Sequence, residues 1–219
     1  MASGAFPEPA GDDSQADMAT KAEPLGRQAL KTKLTREKII GAVISLIKEG
    51  GFSAASSSRI AERAGITWGA VQHHFGSKED ILDAILQLSY DQFLETMSTP
   101  KLRSGSLEER VDLFIDRMWL HYQEDIYLVA LEILMGTRGD KEHRMRSWEE
   151  RQGRAHLQVL HEVFHDSKLS DAKIREAITF AHCCLSGLGI EGLFETKVRN
   201  IPRHLQRVKT VLVSMLGGD

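Results

Sequence analysis

Cysteine is nearly missing from this chain of 219 residues, which has only Cys183 and Cys184, side by side. On a helix adjacent side chains point about 100° apart, so a bond between them needs a distorted backbone. A disulfide framework is therefore excluded, and two small apolar helix residues are expected instead. Proline is also scarce, with five residues and none breaking the periodic apolar segments, so long uninterrupted helices are allowed. No apolar run approaches the roughly 20 residues that span a bilayer, so no membrane partner is expected. The first residues lack the charged-then-apolar order of a secretion leader, and the expected location is cytoplasmic. No segment shows the two-residue alternation of a half-buried strand, and the expected fold class is all-α.

Apolar residues at 42% and charged residues at 27% are ordinary for a globular protein. The net charge of −3 hides a gradient. Residues 1–20 carry four acids and no Lys or Arg, whereas residues 21–80 carry ten bases against six acids, net +4. A locally basic segment on an acidic chain fits a polyanionic partner for that segment alone. Residues 1–33 hold almost no branched or aromatic side chains and read as a disordered tail, with Arg27, Lys31 and Lys33 as a candidate basic arm at its end. From there the spacing predicts about nine helices, divided into a unit of short helices at 34–80 and a longer helical unit at 81–219. Thr35, Ser77 and Ser106 are the expected caps of the first, fourth and fifth helices.

The stretch Ser57–Phe75 carries the most information. Two helices cross closely only where a small residue sits at the crossing and the turn tolerates a left-handed conformation; Ala61 and Gly65 meet both needs. Ile60, Ile66, Val71 and Phe75 supply a small shared core. Trp68, Gly69, Gln72 and His73 then fall on the arc left outside, where a recognition helix enters the major groove. Gln72 can pair with adenine in bidentate fashion, and Gly69 permits close approach. Thr67 offers a hydroxyl and free N–H groups to a phosphate, and Lys78 a second phosphate contact.

The run from Thr35 to Leu86 resembles the N-terminal domain of the tetracycline-repressor (TetR) family. The resemblance rests on Thr35-Arg36-Glu37, Gly51-Phe52, Ile60-Ala61, Ala64-Gly65, Gly69, His74-Phe75 and Lys78-Glu79, about 50 of 219 residues. It implies a DNA-binding regulator, not an enzyme, needing no cofactor or metal. It puts Thr67, Trp68, Gly69, Gln72, His73 and His74 on the recognition helix and Ser56 at a phosphate contact. The chain departs from the family pattern at Gln72, where a tyrosine is usual, and at Ser57, where an apolar residue is usual. The Gly187–Leu193 segment is similar to the small-residue stretch of the family's eighth helix.

One such module covers few base pairs, so two copies on a palindromic site are expected. Ile178, Ala181, Leu185, Leu188 and Gly192 form one helical seam, and Leu205, Val208, Leu212 and Met215 a second. Both are candidates for a homodimer interface, as the family builds it, and either could be internal core. The resemblance also implies a small effector among the later helices. Phe114, Met118, Trp119, Tyr122, Tyr127, Trp148, Phe180 and Cys184 are the candidate lining for an apolar or aromatic molecule.

A competing motif is His161-Glu162-Val163-Phe164-His165, which fits the H-E-x-x-H zinc pattern. The helix is expected to stop at Asp166-Ser167, and His182 and Glu191 are the only candidate third ligands. A zinc-dependent hydrolase and a helical protein-interaction module stand as the alternatives to a ligand-gated repressor.

Overall fold

The computed structural model describes residues 26–140, 157–194 and 199–217. These residues form helices joined by short turns, without a strand among them. The order is α1 (Arg27–Gly50), α2 (Ser57–Ala64), α3 (Trp68–Phe75), α4 (Lys78–Met97), α5 (Leu107–Tyr122) and α6 (Asp125–Gly136), then α7 (157–163), α8 (Asp171–Phe194) and α9 (Ile201–Gly217). No helix among the described residues is long and apolar enough to cross a membrane.

Local chemistry explains most of the boundaries. Gly65 ends α2 in the left-handed region, at φ 62° and ψ 36°, which costs a residue without Cβ nothing. The Thr67 hydroxyl caps α3 by accepting the Ala70 N–H at 3.2 Å. Capping boxes start α4, through Ser77 and Asp80, and α5, through Ser106 and Glu109.

Helix α1 starts earlier than the expected cap at Thr35. It begins at Arg27, and the Thr35 hydroxyl donates back to the Lys31 carbonyl at 2.9 Å within the helix. Gln28, Ala29, Leu30 and Lys31 are good helix formers with no breaker among them, so propagation continues past a usable cap. Residues 27–33, expected in the tail, are therefore helical; the tail before residue 26 lies outside the described residues.

The apolar side chains gather in two cores. The first joins Ile39, Val43 and Ile47 of α1 to Ile60 and Ala64 of α2, Val71 of α3 and Ile81 and Ile85 of α4. It also takes Ile126, Val129 and Ile133 of α6. The second joins Tyr90, Phe93 and Met97 of α4 to Phe114 and Met118 of α5, Phe164 just after α7, Ala177 and Leu185 of α8, and Leu205 and Leu212 of α9. Helix α4 belongs to both, changing cores between Leu86 and Tyr90, beyond the expected boundary at residue 80. Phe52 also lies against Gly136 so closely that a Cβ there would overlap its ring. An exposed Lys48–Asp125 ion pair ties α1 to the start of the same helix α6.

The two seams expected between subunits are largely internal. Ala181, Leu185, Leu205, Val208 and Leu212 are buried in the chain's own second core, and Leu188 and Met215 pack half-buried against it. Ile178 lines a half-open cavity of the same chain, and Gly192 is exposed. A heptad-like period marks a face that will be covered, not whose side chains cover it.

Candidate nucleic-acid interface and internal cavity

Helix α3 sorts its residues by what the first core needs. Val71 is fully buried, while Trp68 and Phe75 are half-buried against that core. Thr67, Gly69, Gln72 and His73 are exposed on the opposite arc. Trp68 thus serves packing as well as the rim of this surface. His74 is half-buried, and its carbonyl accepts from the Arg36 guanidinium, which stacks 3.8 Å over the Phe75 ring. Arg36, unassigned from spacing, therefore clamps α1 to the end of α3. Lys78 is half-buried with its ammonium 5.1 Å above the Phe52 ring. Ser56 makes no side-chain cap, and its hydroxyl lies 3.3 Å from that of Ser58.

An ion pair fixes α2 on α1. Arg63 holds Glu49 with two bonds of 2.7 Å, and the Ser45 hydroxyl donates to the same carboxylate at 2.8 Å. Arg63 first and Ser45 second hold this carboxyl down at about 2.

The second core borders a half-open cavity of about 520 Å³. Its apolar wall comes from Tyr90 and Phe93 of α4, Phe114 and Met118 of α5, Leu131 and Leu134 of α6, Leu160 of α7 and Ile178 of α8. Its polar edge is a connected set. The Tyr122 hydroxyl bonds His182 Nδ1, the Tyr127 hydroxyl lies 3.0 Å from Ser186 Oγ, and Ser186 Oγ lies 3.5 Å from His182 Nε2. The Tyr122 and Tyr127 rings stack at 4.3 Å, and His121 meets Tyr127 edge-on at 5.5 Å.

Burial drives these groups toward neutrality. It pushes His121 down to about 4, lowers His182, and raises Tyr122 and Tyr127. Glu124 lies 3.9 Å from His121 Nδ1, beyond hydrogen-bond reach. Among the described residues, the one formally charged lining residue is Arg175, which is solvent-exposed.

Four expected lining residues do face the cavity: Phe114, Met118, Tyr122 and Tyr127. Trp119 and Cys184 pack half-buried against the second core without lining it, and half-buried Phe180 does not line it either. Trp148 lies outside the described residues. Spacing missed His121 and His182, although each stands one helical turn from a lining residue, Met118 and Ile178.

Residues 39–85 match the family model described as "Bacterial regulatory proteins, tetR family". This segment is a tetR-family N-terminal domain. Over 80 residues the chain is 31% identical to the "Fatty acid metabolism regulator protein" of Bacillus subtilis, covering 36% of this chain and 41% of that protein. Over 93 residues it is 36% identical to the "HTH-type transcriptional regulator SrpR" of Pseudomonas putida, covering 42% and 38%. The chain thus spans less than half the length of these two relatives. Likeness of fold extends further. A transcriptional regulator from Rhodococcus sp. Rha1 superposes with TM-score 0.64 at 17% identity, over 83% of this chain and 95% of that one. Salmonella enterica GusR does so with TM-score 0.64 at 19% identity, over 84% and 96%.

Outside the tetR-family domain, the zinc-like motif is not assembled. Helix α7 ends at residue 163, so His165 stands in the following turn, its Nδ1 3.3 Å from the Glu162 carbonyl. Glu162 pairs with Arg103, and His161 lies 3.3 Å from Asp171. Among the described residues, no three His, Cys, Asp or Glu side chains gather at metal-binding distance.

Proposed function

We propose that the chain is a sequence-specific DNA-binding transcriptional regulator of the cytoplasm, a repressor released from a palindromic operator by a small effector. The exposed arc of Gly69, Gln72 and His73, backed by a filled core at Val71, carries this reading. In it, Gln72 and His73 contact base edges, while Thr67, Ser56 and Lys78 approach phosphates and set the register. Two copies pair through the outer faces of α8 and α9, where Cys183, Gly187, Val211 and the 80% exposed Phe194 are left uncovered by the chain's own core. The cavity holds an apolar or aromatic effector. Leu86 and Ala130 carry its influence, since both line the cavity and belong to the first core. Coupling of about 1–3 kcal/mol between the two sites is enough for such release.

The test is salt-dependent binding to the DNA upstream of the chain's own gene. Replacing Gln72 and His73 by alanine is expected to remove about 1–3 kcal/mol of discrimination for each base no longer read. Unchanged preference for that DNA over random DNA in the double variant would remove this helix as the reader.

A further inference from the structure

The extension of α1 ahead of the tetR-family domain has a chemistry that the two-helix reader does not use. Residues 27–38 contain Arg27, Lys31, Lys33, Arg36 and Lys38 against the single acid Glu37, on a chain of net charge −3. Arg27, Lys31, Lys33 and Lys38 are all exposed. Lys33 lies 3.9 Å from Glu37, and no ion pair among the described residues engages Arg27, Lys31 or Lys38. At 100° per residue, Arg27, Lys31 and Lys38 fall within about 40° of one another, on one stripe of the helix.

Two contacts place this part of α1 beside the reader. Arg36 binds the His74 carbonyl at the end of α3 and covers the Phe75 ring. The Lys38 ammonium lies 3.5 Å from where a Cβ would sit on Gly65, in the turn between α2 and α3. From these anchors the helix continues without a break to Arg27. Residues 27–34 add about 12 Å of rigid helix, enough to reach phosphates beyond those next to α3.

We propose that the first three turns of α1 form a second DNA contact, a preformed helical arm whose stripe of Arg27, Lys31 and Lys38 grips backbone phosphates flanking the bases met by α3. The inference rests on the DNA-binding reading above. The arm adds affinity without sequence preference, because phosphates carry no base information.

The test uses the full chain with two duplexes, one taken from upstream of its own gene and one of random sequence. Binding is measured by anisotropy across a range of salt. The triple variant Arg27→Gln, Lys31→Gln, Lys38→Gln keeps good helix formers, and far-UV circular dichroism checks that the helix persists. It is expected to weaken binding to both duplexes equally and to flatten the plot of log affinity against log salt by about 1 to 3 per subunit, near 0.9 for each phosphate no longer neutralised. Lys31→Glu alone is expected to weaken binding more than Lys31→Gln. An unchanged salt slope in the triple variant overturns the arm, as does a shift in oligomeric state without a change in slope, which would make it a protein contact. A wild-type chain that binds neither duplex overturns arm and reader together. Gln72→Ala separates the two, since it is expected to change sequence preference and leave the salt slope in place.

Discussion

The two cores of this chain are built for opposite purposes. The first is filled by small and branched side chains from α1 to α4 and from α6, and Ile39, Val43, Ile47, Ile60 and Val71 are all without exposure. The second is larger, draws on more widely separated helices, and among the described residues borders a half-open cavity of about 520 Å³ lined by rings and imidazoles. A filled core holds one geometry, as the proposed contact with a rigid duplex would require. A core beside a half-open cavity tolerates rearrangement of its walls, as the proposed effector would require.

The sharpest way to break this contrast is to remove volume from each side. Ile47→Ala in the first core is expected to cost about 2–5 kcal/mol in denaturant unfolding. Met118→Ala, on the wall of the existing cavity, is expected at the low end of that range, because its neighbours already border empty space. Equal costs would mean that the two cores are equally tight.

The joint between the cores comes next in size. Gly136→Ala would drive a Cβ into the Phe52 ring, and overpacking of this kind costs about 1–3 kcal/mol. The expected result is lower thermal stability with the exposed arc of α3 intact; a neutral effect would show that Phe52 can leave without cost.

Acid should separate the regions by pH. His121 has a folded pKa of about 4, below its ordinary 6.5, so its neutral burial stabilises the fold fully above pH 6.5 and that contribution is lost as pH falls toward 4. Glu49, held at about 2 by Arg63 and Ser45, loses its contribution only as pH falls from 4.5 toward 2. Amide exchange is therefore expected to rise first around α5 and α8 and later in α1 and α2, and His121→Phe should delay the first step. Simultaneous loss of protection would cancel the distinction.

The smallest expected effect is at the surface. Lys48→Ala removes the exposed pair with Asp125, and a thermal melt should register less than about 1 kcal/mol.

The same contrast governs what the sequence makes legible. The tetR-family domain is written in local chemistry: Ala61 at a crossing, Gly65 in a left-handed turn, Thr67 and Ser77 as caps. Each acts within a few residues, so the pattern and the structure coincide there. The reach of α1 back to Arg27 was hidden because Thr35 is a usable cap that the helix simply runs through. In the second unit the apolar period of Ala181, Leu185, Leu205 and Leu212 was plain, but whether the chain or a second copy covers those side chains is a long-range fact. The cavity was least legible. Phe114, Met118, Tyr122 and Tyr127 stood out as aromatic or flexible side chains, whereas His121 resembled an ordinary polar helix residue until the fold buried it, and His182 until the fold set it against the Tyr122 hydroxyl.

Helix α4 starts beside the reader at Ser77 and ends among the cavity's rings, without a break across its 20 residues. At 1.5 Å per residue it is about 30 Å long. Pivoted at the cavity end, a tilt of only about 6° carries the other end through about 3 Å, close to the 3.4 Å that separates neighbouring base pairs. In the proposed regulator, a ligand wide enough to shift Tyr90 or Phe93 by a fraction of a ring width would act on a long arm, with the duplex at the magnified end of the stroke.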